Sequence, residues 1–234
     1  MYGAQWLTKI DGEYKYPKEI LQEAMTKLAQ GDGTYEVASV ISMKAYQFSI
    51  TLSLEDHNVW RKVIVPADIT FRKFHFVIQA AFRWQGYHLY EFMIFNNDEP
   101  IALIACDEEA LEDADDIGYP IEMDKKTKLI KYLPQFNRIK YVYDFGDDWT
   151  HYIELERVID DYPQNYPICV DGGGSCPPED VGGEPGYENF LEVLNNPNHP
   201  EHEEMVSWGN MQGYGEFNIE NVNFYLKRSL LQRR

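Results

Sequence analysis

Along YQFSITLSL, apolar Tyr46, Phe48, Ile50, Leu52 and Leu54 alternate with polar Gln47, Ser49, Thr51 and Ser53. A strict period of two puts one set on each side of an extended chain, so this stretch predicts a strand with one buried face. EDHN then supplies turn residues, and VWRKVIVP predicts a returning strand that Pro66 ends. In DITFRKFHFVIQAAFRW the period changes. Phe71, Phe74, Val77, Ile78, Ala81 and Phe82 recur at helical spacing, behind Asp68 or Thr70 as the N-cap. HLYEFMIF and PIALIAC predict two further strands, and KKTKLIKYL a short helix. RIKYVYDF and WTHYIELERVI predict a hairpin around Gly146, and YENFLEVLNN, HPEHEEMVSWG and NIENVNFYLKRSLLQ predict three C-terminal helices.

Strands joined by hairpin-length connections, with helices interspersed and then clustered at the C-terminus, define an α+β fold: a mostly antiparallel sheet with helices packed on it. Residues 1–38 are set apart as an N-terminal helical extension. In YPKEILQEAMTKLAQGDG, Pro17 suits a first turn, Ile20, Leu21, Met25 and Leu28 form a stripe, and Gly31 ends it. Residues 39–234 then form a single domain.

Composition narrows the function. Of the 234 residues, 44% are hydrophobic and 15% aromatic, enough for a packed core. Asp and Glu number 39 against 21 Lys and Arg, a net charge of −18. Such a surface repels phosphate backbones and anionic membranes, so neither tight nucleic-acid binding nor a membrane role is expected. The basic runs are short: FRKF, YLKR and QRR. Three cysteines, Cys106, Cys169 and Cys176, with no CxxC, fit free thiols in a reducing compartment. The charged start MYGAQWLTKIDGEYKYPKE has no secretory apolar region, and no run of about 18 apolar residues marks a membrane span. The expectation is a cytoplasmic protein.

The chemistry concentrates in YDFGDDWTHYIELE. On the strand after the turn, Asp147, Trp149, His151, Ile153 and Leu155 share one face, and Asp148, Thr150, Tyr152, Glu154 and Glu156 the other. His151 is therefore expected inside, in need of a polar partner, and Asp144 or Asp147 across the turn are the nearest fixed carboxylates. His88 begins a similar face with Tyr90, Phe92 and Ile94. A second stretch, CVDGGGSCPPEDVGGEPGY, holds Glu179 and Asp180 stiffly behind two prolines and adds Tyr187. Together His88, Asp144, Asp147, Asp148, Trp149, His151, Glu179, Asp180 and Tyr187 outline a candidate cleft. Within it His88, His151, Asp147 and Glu179 are the candidate ligands of a divalent cation.

Other readings stay open. Asp-Phe-Gly-Asp-Asp is also good turn chemistry, so the stretch can be a structural polar hub. Gly172 to Gly174 could cradle an anion, although no lysine follows as in a phosphate loop. Cys169, Cys176, His199 and His202 offer zinc-ligand types at an unusual spacing. The acidic run from Asp107 to Asp124 reads as a solvated loop, without the spacing of an EF-hand. DFG occurs without a kinase's Gly-rich loop or catalytic HRD, and no GxSxG marks a nucleophile.

The strand YQFSITL, FHFVIQAAFRWQGYHLYEF, YDFGDDWTHYIELE, CPPEDVGGEPGYENFLEVL and FNIENVN resemble the plasmid pRiA4b ORF-3-like proteins, over about Tyr46 to Leu230. Some members are labelled TnpR-type resolvases or mobile-element passengers. The resemblance implies the fold and a motif set of His88, Asp144, Gly146, Asp147, Trp149, His151, Cys176, Pro177, Pro178, Glu179, Asp180, Gly182, Gly183, Gly186 and Tyr187; it implies no established activity. A serine recombinase needs an early serine with an arginine cluster and a basic helix-turn-helix, and neither is present. The expected role is a binding or accessory module for a protein or small ligand. The alternatives are a metal-dependent hydrolase using His88, His151 and nearby carboxylates, and a DNA-recombination accessory.

Overall fold

The computed structural model describes residues 9–10, 13–14, 43–108 and 118–231. Two short strands, β1 (Lys9–Ile10) and β2 (Glu13–Tyr14), pair with each other antiparallel. The helix expected from Pro17 to Gly31 lies outside the described residues.

The rest is built on one eight-stranded sheet. Its strands are β3 (Met43–Leu52), β4 (Val59–Pro66), β5 (Tyr90–Asn96), β6 (Glu99–Ala105), β7 (Ile121–Met123), β8 (Arg138–Tyr143), β9 (Trp149–Tyr162) and β10 (Ile168–Gly173). Their spatial order is β10-β4-β3-β9-β8-β5-β6-β7, and every pairing is antiparallel except β6 with β7. The fold is thus α+β with a mostly antiparallel sheet. The period of two in β3 is realised in full: Tyr46, Phe48, Ile50 and Leu52 are buried, and Leu54 packs at the edge of the same core.

Helix α1 (Phe71–Phe82) lies across that face. Thr70, rather than Asp68, is its N-cap and accepts a hydrogen bond from the Lys73 backbone N–H; Asp68 pairs with Lys128 at 2.7 Å. Arg83 ends the helix in the left-handed conformation. An aromatic layer joins helix to sheet: Phe74 meets Phe48 at 4.9 Å and Phe92 at 5.9 Å, and Phe71 meets Phe92 at 5.1 Å. The C-terminal helices are α2 (Gly183–Asn195), α3 (His202–Gln212) and α4 (Ile219–Ser229). Helix α4 packs on α1 and β10, and α2 on α3.

Two strands were not legible from the pattern. β10 takes up Ile168 to Gly173, so the glycines expected in a free loop form a sheet edge against β4. The glycines fit a close approach, since a Cβ on Gly172 would lie 2.7 Å from the Phe217 ring. β7 emerges from the end of the acidic run, and Asp124 just after it is fully buried, bonded to Arg72 at 2.9 Å and accepting from the Tyr90 hydroxyl. KKTKLIKYL contributes only a short 3-10 turn at Leu129–Lys131. Among the described residues, no helix is long and apolar enough to cross a membrane.

Candidate functional site

Three chain segments meet at the end of the sheet where β5 begins and β8 turns into β9. One is the approach to β5, carrying His88. The second is the turn Asp144 to Asp148. The third is the loop from Pro177 to Gly183, which leads into α2. Five hydrogen bonds hold the third segment to the other two and to the end of β8. Trp84 Nε1 donates to the Pro177 carbonyl at 2.9 Å. Buried Glu179 accepts from the Gln85 backbone N–H at 2.7 Å and from the Tyr143 hydroxyl. His88 Nε2 lies 2.8 Å from Asp180 Oδ1. Asp147 Oδ2 accepts from the Gly182 backbone N–H at 3.2 Å.

The backbone of these segments is specialised. Asp144, Asp148 and Asp180 all have left-handed φ values, of 58°, 53° and 61°. Aspartate tolerates that region better than most residues because its side chain can bond nearby backbone. Asp144 does so, accepting from the Gly146 N–H at 3.0 Å through Oδ1. Its other oxygen, Oδ2, is left 3.5 Å from His88 Nε2. Gly186 completes the loop by close approach: a Cβ there would lie 2.0 Å from the Val181 carbonyl oxygen.

One imidazole nitrogen thus faces two carboxylates. Ligand atoms of His88, Asp144 and Asp180 all lie within 4.8 Å of one another, and among the described residues they form the one such group of three or more. Of the four residues expected as metal ligands, only His88 belongs to it. Asp144 and Asp180, expected in the cleft, supply the two carboxylates. Asp147 is turned to the loop backbone, and Glu179 uses both oxygens on Gln85 and Tyr143. Burial together with the Glu179 hydrogen bond raises the Tyr143 phenol well above its ordinary range, so it stays a donor.

His151 is inside, as the facing of β9 predicts, but its partner is not a carboxylate. The ring is fully buried and edge-on to Phe82 and Trp84, at 4.7 and 5.3 Å. Nδ1 lies 3.2 Å from the carbonyl of Trp149, the residue two places back on its own strand, and Nε2 has no hydrogen-bond partner. Trp149 is likewise buried, with an unpartnered indole N–H. Burial lowers His151 to a pKa of about 3, so the ring is neutral at pH 7. Asp148 is exposed on the turn. Tyr187 points elsewhere, its hydroxyl donating to the Ser175 carbonyl at 3.2 Å and its ring beside His57.

The other sequence candidates separate. Cys169 Sγ contacts the Asp171 carbonyl, His202 Nδ1 the Val193 carbonyl and His199 Nδ1 the Glu201 N–H, so the zinc set is not assembled. The glycine run presents carbonyls rather than N–H groups: Arg61 donates to the carbonyls of Gly173 at 2.6 Å and Gly174 at 3.3 Å. That arginine is almost fully buried, between the rings of Phe82 and Phe217. Its place was legible, since Val59, Arg61, Val63 and Val65 share one face of β4. Burial pushes the Cys176 thiol up to about 12, which keeps it protonated at neutral pH.

An antiparallel sheet with one helix across its face and a helical C-terminus, holding a His-Asp-Asp cluster at one end, is the class that fold and site define. The chain belongs to the plasmid pRiA4b ORF-3-like family, whose sequence profile matches residues 44–225. It is similar to the uncharacterized protein y4hQ of Sinorhizobium fredii (strain NBRC 101917 / NGR234), 35% identical over 180 residues that cover 76% of this chain and 84% of that protein. It is also similar to a crystal structure of MM3350, a protein of unknown function from Methanosarcina mazei Go1, with a TM-score of 0.65 and 32% identity. That likeness covers 76% of this chain and 97% of the other.

Proposed function

We propose that this protein is a binding module whose working site is the His88, Asp144 and Asp180 cluster, and that its first ligand is a divalent transition-metal cation. The observation that carries this is the convergence of one imidazole nitrogen and two carboxylates from three segments. Metal–ligand bonds of about 2.0–2.2 Å place neighbouring ligand atoms roughly 3.0–3.5 Å apart. The separations from His88 Nε2, 2.8 and 3.5 Å, come close to that without rearrangement. Nitrogen with carboxylate oxygen suits zinc, manganese or iron(II) better than calcium or magnesium.

Titration calorimetry of chelator-treated protein with zinc and manganese chlorides is expected to show one site per chain. His88→Ala and Asp144→Asn are each expected to weaken it by roughly a hundredfold or more, since even outer partners of metal ligands are worth 10–100-fold. His151→Ala is expected to leave the affinity unchanged while lowering stability. If the intact chain takes up neither metal, the trio is a clasp between loop and turn, and this reading is wrong.

The ligand count favours one further reading, metal-assisted hydrolysis. Three protein ligands leave a coordination position for water, the arrangement of catalytic rather than structural sites. His151, buried and without a carboxylate, takes no part in it. Metal-dependent turnover of an activated ester or phosphate ester, lost in Asp144→Asn, would support this reading, and a metal-loaded protein inert to both would remove it.

Nucleic acid is not the expected partner. The net charge is −18, and in the FRKF run Arg72 is already engaged by Asp124. Fluorescence anisotropy with duplex DNA at about 0.15 M salt is expected to give no sub-micromolar dissociation constant; finding one would revive a recombination role.

A further inference from the structure

A second concavity lies beside the cluster, between α2 and α3, with a volume of about 360 Å³. That is within the range of ligand-binding clefts, roughly 300–1,000 Å³. Phe190, Met205 and Trp208 line it with apolar surface, and Phe190 and Trp208 meet edge-on at 5.6 Å. Asp180, Glu201 and Glu204 supply its acids, and no lysine or arginine lines it. Glu201 and Glu204 stand at the start of α3, where the helix dipole accounts for acidic residues. The dipole does not account for the half-exposed indole and thioether beside them, backed by the buried Phe190 ring.

The two features together describe a ligand with an apolar stem and a cationic end. An anion would meet Glu201 and Glu204, with Asp180 beyond them already paired with His88. A purely apolar ligand would bring those carboxylates into contact with hydrocarbon. A lysine or arginine side chain lays its methylenes on apolar surface while its charge reaches the carboxylates, and an indole face adds cation–π attraction. The net charge of −18 draws such a partner in. We propose that the α2–α3 groove receives a basic side chain from an extended, arginine- or lysine-bearing segment of a partner protein.

The test uses the full chain and two acetylated, amidated, fluorescein-labelled hexapeptides, one alternating arginine with alanine and the other glutamate with alanine. Anisotropy at about 0.15 M salt, where surface charges are screened beyond roughly 8 Å, is expected to show binding of the arginine peptide only. Glu201→Gln with Glu204→Gln is expected to weaken it about tenfold. Trp208→Ala is expected to do the same without any change of charge. Asp56→Asn with Glu99→Gln changes the net charge equally, outside the groove, and is expected to leave binding within about twofold. Asp144→Asn, which does not line the groove, is expected to remove metal uptake and preserve peptide binding, so this inference and the cation reading fail separately. The groove reading is overturned by no binding of the arginine peptide, by equal losses from the rim and remote acid pairs, or by unchanged affinity in a folded Trp208→Ala protein. Should Trp208→Ala not fold, the comparison of the two acid pairs decides alone.

Discussion

Between pH 6.5 and about 4.5, His75 and His151 are expected to cost this protein stability at up to two protons per pH unit. Burial lowers both histidines to about 3, from an ordinary 6.5. His75 is stacked on Tyr90 at 3.6 Å, bonded through Nδ1 to the Tyr141 hydroxyl at 2.7 Å, and further depressed by the charge of Arg72. His151 has the rings of Phe82, Trp84 and Tyr141 around it, and the Trp149 and Tyr141 backbone beside it offsets only part of the effect of burial. In this window the unfolded chain binds protons that the folded one refuses, so stability is complete above about pH 6.5 and declines as the pH falls. Each group contributes about 1.4 kcal/mol per pH unit. Over about two units the pair removes several kcal/mol, a large share of a total of about 5–15 kcal/mol.

Glu122 and Glu156 act lower down. For Glu122, burial raises the pKa, but hydrogen bonds from Lys131, Tyr132 and Thr127 outweigh it and the net shift is downward. The stability it adds is lost only below about 4.5, the ordinary value. Glu91 runs the other way, because burial raises its carboxyl above the ordinary range and it opposes the histidines there, so urea unfolding at several pH values between 4.5 and 6.5 reads each histidine as the difference between protein and variant. His151→Phe is expected to reduce the slope of stability against pH by about 1.4 kcal/mol per unit, with the ring volume kept against Phe82 and Trp84. An unchanged slope in the folded variant would falsify the assignment of His151 as a buried neutral base.

Phe48→Ala is expected to destabilise the protein by about 3–5 kcal/mol. Phe48 is fully buried at the centre of the sheet face, with Val63 and Leu155 opposite it on β4 and β9. Its ring meets Phe74 of α1 at 4.9 Å and Tyr46 at 6.1 Å. Neighbours on three strands and one helix cannot all close on the void, so transfer and cavity terms both count. Chemical denaturation measures the loss, and a value below about 1 kcal/mol would mean that the site collapses or that the residue lies outside the core.

Much of this was written locally in the chain. The alternation at Tyr46 to Leu54 determined which face of β3 is buried, and the same parity placed His151 and Trp149 inside and Asp148 outside. Parity is a property of neighbouring residues, so it survives whatever the strand pairs with. The turn at Asp144 to Asp148 was equally readable, because glycine and aspartate carry their backbone preferences with them. The N-cap of α1 was narrowed to two residues, and only the structure chose Thr70.

Tertiary structure decided the partners. His88 meets Asp180 across 92 residues of sequence, Tyr143 meets Glu179 across 36, and Asp147 meets Gly182 across 35. No periodicity reports which carboxylate a histidine will face when the two are joined through a sheet and a loop. Hence His88, Asp144 and Asp180 of the candidate cleft converge, while Asp147 and Glu179 turn to the loop contacts and His151 lies in the core. The same reason hid β10 and β7. Ile168 to Gly173 is poor in strand signal because its glycines let β10 pack closely against Trp60 and Phe217. β7 is three residues long and is held by β6, so its conformation belongs to the pairing rather than to its own side chains.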